Sequence, residues 1–183
     1  MLISETYRDL SAQLHAMHWD YGTYGSRYAK RVRGILARIG GGTVLDYGAG
    51  KQTLEQMLCP KGFVRGHRGV GFVTSYDPAI PNIARRPLPV CDVVVCTDVL
   101  EHVESECLGD VLDEIAGLAG KVVLLDAATR PSTKTLADGR NAHITLRLAD
   151  WWRATIARHF HDFTVVATDD HEGRSCDFEL ERT

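Results

Sequence analysis

Apolar positions gather in four short runs: Thr43-Val-Leu-Asp46, Val70-Gly-Phe-Val-Thr-Ser-Tyr76, Cys91-Asp-Val-Val-Val-Cys96 and Lys121-Val-Val-Leu-Leu125. Nearly unbroken runs of this length suit strands covered on both faces of a parallel sheet. The stretches between them are amphipathic. The first twenty residues read as a helix ending near Trp19-Asp20. Ser26 to Ile39 reads as a second, with Tyr28, Val32, Ile35 and Leu36 on one face and Gly40-Gly-Gly42 as its stop. A short helix fits Lys51 to Leu58, and Val103, Leu108, Val111, Leu112, Ile115 and Leu118 mark one face of another. Asp150, read as an N-cap, opens a helix running to Phe160. Two final runs, Phe163–Thr168 and Ser175–Glu181, are joined by Asp169-Asp-His-Glu-Gly173, which predicts an antiparallel hairpin. Strands alternating with helices and a closing hairpin predict an α/β sheet, mostly parallel, with an antiparallel strand near one edge. Such sheets bind ligands outside the carboxyl ends of their strands.

Composition narrows the class. The chain has 183 residues, 44% hydrophobic and 25% charged, which fits one globular domain and excludes disorder and collagen-like structure. A formal charge of −3 demands neither a nucleic acid nor a membrane surface as partner. The five cysteines include no C-x-x-C pair, so free thiols in a reducing cytoplasm are expected. No run is long enough to span a bilayer, and Met1-Leu-Ile-Ser-Glu5 has no secretory pattern.

The residues that can do chemistry sit just past the strand ends. Val44-Leu-Asp-Tyr-Gly-Ala-Gly50 places an acid at a strand end and glycines after it, where the backbone turns tightly against a ligand. A dinucleotide fingerprint would need glycine at position 53, which is Thr53. Asp46 would also repel a pyrophosphate, whereas a cationic group would be favoured there. Asp77 ends the second strand, and a carboxylate there accepts hydrogen bonds from a ribose diol. A nucleoside with a cationic tail satisfies both acids, and S-adenosylmethionine is such a molecule.

These residues resemble the class I S-adenosylmethionine-dependent methyltransferases. Val44–Gly50 is similar to the family's first motif, Tyr76-Asp77-Pro78 to the acidic end of the second strand, and Asp92–Val103, with its Val-Leu-Glu-His run, to the fourth-strand motif. The resemblance covers about Gly25 to Thr183. It implies a three-layer Rossmann-like methyltransferase fold over 26–183, with 1–25 as an N-terminal helix and lid segment. It further implies S-adenosylmethionine as cofactor and S-adenosylhomocysteine as product. Gly48 and Gly50 would line the methionine part, and Asp46 would orient it through nearby backbone, water or the ammonium group. Asp77 would hold the ribose hydroxyls, Thr97, Asp98 and Val99 would lie beside the sulfonium, and Tyr47, Ala49 and Pro78 would complete the cofactor site. Turn chemistry for Asp46 and Asp77, and a helix cap for Asp98, are the alternative roles.

Two departures stand out. Gln52 replaces a glycine common in the family and is expected to narrow the loop. Only a short segment with Pro78, Pro81, Pro87 and Pro89 lies between Asp77 and Cys91, where the family places a strand between two helices. Prolines break those elements, so the sheet is expected to be shortened around the third strand, with adenine covered by a loop carrying Ile80 and Leu88.

Transfer of a methyl group from a sulfonium needs alignment, exclusion of water and, for hydroxyl or ammonium acceptors, a base. His143 is the first candidate base and His102 the second, because histidine titrates near neutrality. Structural roles for both remain open. Tyr21, Thr23, Arg140, Asn141 and Trp151 are the candidate acceptor-binding residues. Six basic and two acidic side chains lie between Ala128 and His161, and Lys61, Arg65 and Arg68 add to them. This charge suits an anionic small-molecule acceptor and equally describes a solvated surface. The end of the Cys91–Cys96 run has neither the Pro-Pro-Tyr run nor the Pro-Cys pair of DNA base methyltransferases, so nucleic acid is the alternative acceptor, chiefly RNA or an already modified base. No metal is expected: Asp126, Asp138, His143 and His102 have no recognised ligand spacing. The sequence does not specify an oligomeric state.

Overall fold

The computed structural model describes residues 1–59, 69–86 and 88–183. Lys61, Arg65, Arg68 and Pro87 therefore lie outside the described residues. Helix α1 (Glu5–Met17) is followed by a 3₁₀ turn (Tyr24–Tyr28) and α2 (Ala29–Arg38). Strand β1 (Gly42–Tyr47), α3 (Thr53–Leu58), β2 (Val70–Tyr76), β3 (Cys91–Thr97), α4 (Leu108–Leu118) and β4 (Ala119–Ala128) come next. Helix α5 (Ala149–His159), β5 (Phe163–Asp170) and β6 (Ser175–Arg182) complete the chain.

The strands form one six-stranded sheet in the order β2-β1-β3-β4-β6-β5. Strands β1 to β4 are parallel, and β6 runs antiparallel between β4 and β5. Successive strand residues face opposite sides, so the apolar runs feed two separate cores. Val44, Val93, Val95, Val122 and Leu124 pack with Val32, Ile35 and Leu36 of α2 and Leu54 and Leu58 of α3. Leu45, Val94, Cys96, Val123 and Leu125 pack with Leu112 and Ile115 of α4 and Trp152 and Ile156 of α5. This makes three layers. A third cluster joins Tyr7 and Leu14 of α1 to Leu136 and Ala142, so the first helix lies over the loop after β4.

The sheet is shortened as the prolines predict. Between Asp77 and Val90 the described residues form only a 3₁₀ turn at Pro81–Ile83, and β2 is the edge strand. Several boundaries differ from expectation. The helix before β4 begins at Leu108, because Leu100–His102 form a separate 3₁₀ turn and Val103 is extended. Asp150 is not a cap: Leu148 occupies that position, and Asp150 instead pairs with Arg153 in the first turn. Strand β4 runs on to Ala128 because Asp126, Ala127 and Ala128 pair with Asp177, Cys176 and Ser175 of β6. In β5 the register slips between Val165 and Ala167, leaving Val166 as an extra residue opposite β6. Among the described residues no helix is long and apolar enough to cross a membrane. All five cysteines are free.

Candidate functional site

The order of strands reverses between β1 and β3: β2 lies on one side of β1 and the chain then crosses to the other. Their carboxyl ends open a crevice at that switch point. Gly48 N and Ala49 N both donate to Tyr76 O, at 2.8 and 2.9 Å, tying the turn after β1 to the end of β2. Gly48 has φ +79°, and a Cβ there would run into Val99. Gln52 has φ 59°, the left-handed conformation that costs a residue with a Cβ. Its side chain donates to Glu55 at 3.2 Å, so it follows the glycine path and is pinned outside the turn.

Two carboxylates flank this turn. Asp77 Oδ2 accepts from Gly50 N at 3.1 Å and Oδ1 from Ala79 N at 2.9 Å. Asp46 is buried, and its Oδ2 has no hydrogen-bond partner among the described residues. Burial, and then the charges of Asp77 and Glu55, push the Asp46 carboxyl up to about 7. An orphaned buried carboxylate oxygen calls for a donor or cation that the fold itself does not provide.

Helix α1 and the segment after it roof the turn. Lys51 N donates to Gly22 O at 2.8 Å, and Lys51 Nζ to His15 O at 2.7 Å. His15 and Tyr21 pack edge to face over the crevice, and Tyr21 packs the same way on His102. Beneath this roof lies a narrow cavity of about 90 Å³ lined by residues including His15, Tyr21, Gly48, Asp77, Asp98 and His102.

On the far side of Asp98 a second, open pocket of about 680 Å³ is lined by Tyr24, Arg27, Asp98, Asp126, Arg130, His143 and Arg174, among others. Asp98 thus walls both spaces. It has φ 60° at the tip of β3, strain of the kind stored at functional sites. Arg27 and Arg130 have no carboxylate partner within ion-pair distance among the described residues, whereas Arg31 is bonded to Asp177 and Glu179. The two candidate bases meet where the pockets adjoin, with ring centroids 4.8 Å apart. His102 Nδ1 lies 2.8 Å from Ala142 O and His143 Nδ1 lies 2.6 Å from Arg130 O. A carbonyl only accepts, so both rings carry their proton on Nδ1 and keep a lone pair on Nε2. Burial, followed by the neighbouring His143, pushes His102 down to about 3. His143 is also lowered, first by burial.

The other sequence candidates divide. Tyr47 and Pro78 line the narrow cavity and Val99 closes it. Thr97 is buried at the end of β3. Thr23 serves the turn, its hydroxyl on Asp20 O and its carbonyl holding Ser26 and Thr53. Arg140 is bonded to Asp138 within a small exposed hairpin. Asn141 holds both ends of that loop, accepting from Ser132 N and His143 N and donating to Ser132 O. Trp151 packs edge to face on Trp152, with Arg147 over its own ring. None of these last four lines either space. Sequence reading missed His15, which faces Asp77 at 3.8 Å, and Glu101, which is fully buried and accepts from Ala128 N at 2.8 Å. The Asp98, Glu101, His102 spacing was a visible signal for a one-turn cluster; nothing local marked His15.

No family model and no curated protein matches the sequence. Solved structures match in shape. N-methyltransferase NodS from Bradyrhizobium japonicum WM9, in complex with S-adenosyl-l-homocysteine, superposes with a TM-score of 0.58 at 12% identity, over 96% of this chain and 98% of that one. The chain has the class I methyltransferase fold. Magnesium protoporphyrin IX methyltransferase from Synechocystis PCC 6803 with bound SAH gives 0.57 at 18% identity, over 86% and 83%. The 1,6-didemethyltoxoflavin-N1-methyltransferase of Burkholderia thailandensis gives 0.54 at 18%, over 88% and 79%. In this chain the methyltransferase fold carries a shortened sheet edge and a first helix that roofs the crevice.

Proposed function

We propose that the chain transfers a methyl group from S-adenosylmethionine to an oxygen or nitrogen of a small, anionic acceptor. One observation carries this: the unpaired buried oxygen of Asp46 stands beside the Gly48–Gly50 turn, with Asp77 across it, at the switch point of a methyltransferase fold. The residues present fit the cofactor. Asp46 Oδ2 takes the ammonium group, the turn admits the methionine chain because no Cβ stands at Gly48, and Asp77 takes the ribose hydroxyls. When bound, S-adenosylmethionine supplies an activated methyl group and leaves as S-adenosylhomocysteine.

The chain's own residues align and enclose. Thr97, Asp98 and Val99 form the wall between the cofactor crevice and the open pocket. Arg27 and Arg130 draw an anionic acceptor to that wall from the pocket side. His143, with its Nε2 lone pair turned free by the Nδ1 bond to Arg130 O, accepts the acceptor's proton, and His102 orients it. Residues 1–25 act as the lid. The roofed cavity of about 90 Å³ is smaller than the roughly 300 Å³ or more that ligand clefts occupy, so this reading requires the first helix to move aside before the nucleoside enters.

Calorimetry with S-adenosylmethionine and S-adenosylhomocysteine tests the reading, followed by single turnover of labelled cofactor against anionic and neutral metabolite fractions. Micromolar binding and transfer to the anionic fraction are expected. A folded protein that binds neither compound at millimolar concentration overturns it.

A further inference from the structure

Asp98, Glu101, His102 and His143 each place one ligand-type atom within 4.8 Å of the others. The first three stand on one short turn after β3; His143 arrives from the loop after β4. Four donors bound tetrahedrally to one ion at about 2.1 Å sit about 3.4 Å from each other, so the widest pair of this group draws in by roughly an ångström or more when the site closes on an ion.

Three features make this a built site. Glu101 is fully buried, and its Oε2 has no partner among the described residues although Oε1 is bonded to Ala128 N. Both histidines are locked through Nδ1 to backbone carbonyls, which presents Nε2 as a ligand; this outer-shell arrangement is the usual one around metal-bound imidazole. Asn141 in turn holds the His143 backbone, and Tyr21 Oη lies 3.3 Å from His102 Nδ1. The charges also balance: two carboxylates, two neutral imidazoles and one divalent ion sum to zero inside a site that would otherwise hold two abutting acids.

From this geometry we infer that Asp98, Glu101, His102 and His143 bind one divalent first-row metal ion between the cofactor crevice and the acceptor pocket. A mixed set of two imidazole nitrogens and two carboxylate oxygens suits zinc, iron(II) or manganese(II) rather than the all-oxygen shells of calcium. The inference rests on the proposed methyl transfer and deepens it. It replaces the base of that reading: with its Nε2 lone pair on the ion, His143 no longer takes the acceptor's proton, and the ion instead acidifies the acceptor hydroxyl, whose proton leaves to water through the open pocket.

The test is metal binding, read apart from turnover. Untagged protein stripped with a chelator is titrated with Co²⁺, following its visible ligand-field absorption, and with Mn²⁺ by calorimetry. One ion per chain is expected. His143→Ala and Glu101→Gln should each weaken binding about tenfold or more, and Asp138→Ala, an exposed acid of the same loop, should leave it unchanged. His143→Ala keeps the test open where Glu101→Gln fails to fold. Absence of stoichiometric binding, or equal binding by folded His143→Ala protein, overturns the inference and leaves Asp98 and Glu101 sharing a proton. Calorimetry with S-adenosylhomocysteine on the same samples separates this from the cofactor reading: cofactor binding without metal sinks only the metal site, and metal without cofactor sinks only the methyltransferase assignment.

Discussion

His15 Nε2 lies 3.8 Å from Asp77 Oδ2, and both side chains are buried. The first helix therefore touches the carboxylate proposed to hold the ribose, and burial lowers the His15 pKa, keeping the ring neutral near pH 7. Asp77→Ala should reduce affinity for S-adenosylhomocysteine by about tenfold to a hundredfold, the worth of hydrogen bonds to a charged group. Circular dichroism should show the fold intact. Unchanged affinity would remove Asp77 from the cofactor site.

Asp46 gives a pH signature. Its folded carboxyl is raised to about 7 from 3.8, burial first and Asp77 and Glu55 second. The folded state then holds a proton that the unfolded state has lost. The stabilisation is complete below pH about 4 and disappears as pH rises through about 7, on the order of 4 kcal/mol across that window. Asp46→Asn keeps the neutral form throughout, so its advantage in denaturant midpoint over the parent should widen from pH 4 to pH 8. Affinity for the cofactor's ammonium end should strengthen over the same window in the parent and stay flat in Asp46→Asn. A constant gap between the two proteins would show that Asp46 does not titrate there.

The turn after β1 makes opposite predictions at two positions. Gln52→Gly relieves a left-handed residue and should stabilise by roughly 1 kcal/mol, a midpoint rise of about 2–4 °C. Gly48→Ala adds both an unfavourable φ and a clash with Val99, and should destabilise by at least about 1–2 kcal/mol while abolishing cofactor binding. Thermal melts decide both; a neutral Gly48→Ala would mean the turn adopts another path.

His143→Ala should cut single-turnover rate by about a hundredfold or more, with affinity for S-adenosylhomocysteine within about twofold of the parent. Near-normal turnover would remove His143 from the reacting centre in either of its proposed roles.

Much of the fold was legible because buried parallel strands leave an apolar run that survives in the sequence. Val70–Tyr76 was read to the residue, and the proline cluster foretold the missing strand. Helix starts were less legible: apolar positions from Val103 to Leu118 share one period, but Val103 is extended after a separate turn at Leu100–His102, which Glu101 ties to Ala128 N through its side chain and to Thr145 N through its carbonyl. The acids at the strand ends were visible because their meaning is local. Long-range encounters were not, since His15 with Asp77 and His102 with Ala142 depend on docking that no spacing encodes. Arg140 and Asn141 looked alike as acceptor ligands; the first is spent on Asp138 and the second on bracing its own loop.

Strand β5 forms the edge of the sheet opposite β2 and lies exposed along nearly its whole length. The unpaired Val166 bends it out of line with its neighbour. A bent rim cannot offer a flat ladder of amides to a neighbouring molecule, so two exposed valines there do not become a seed for stacking into fibres. Deleting Val166 would straighten that rim and remove the safeguard.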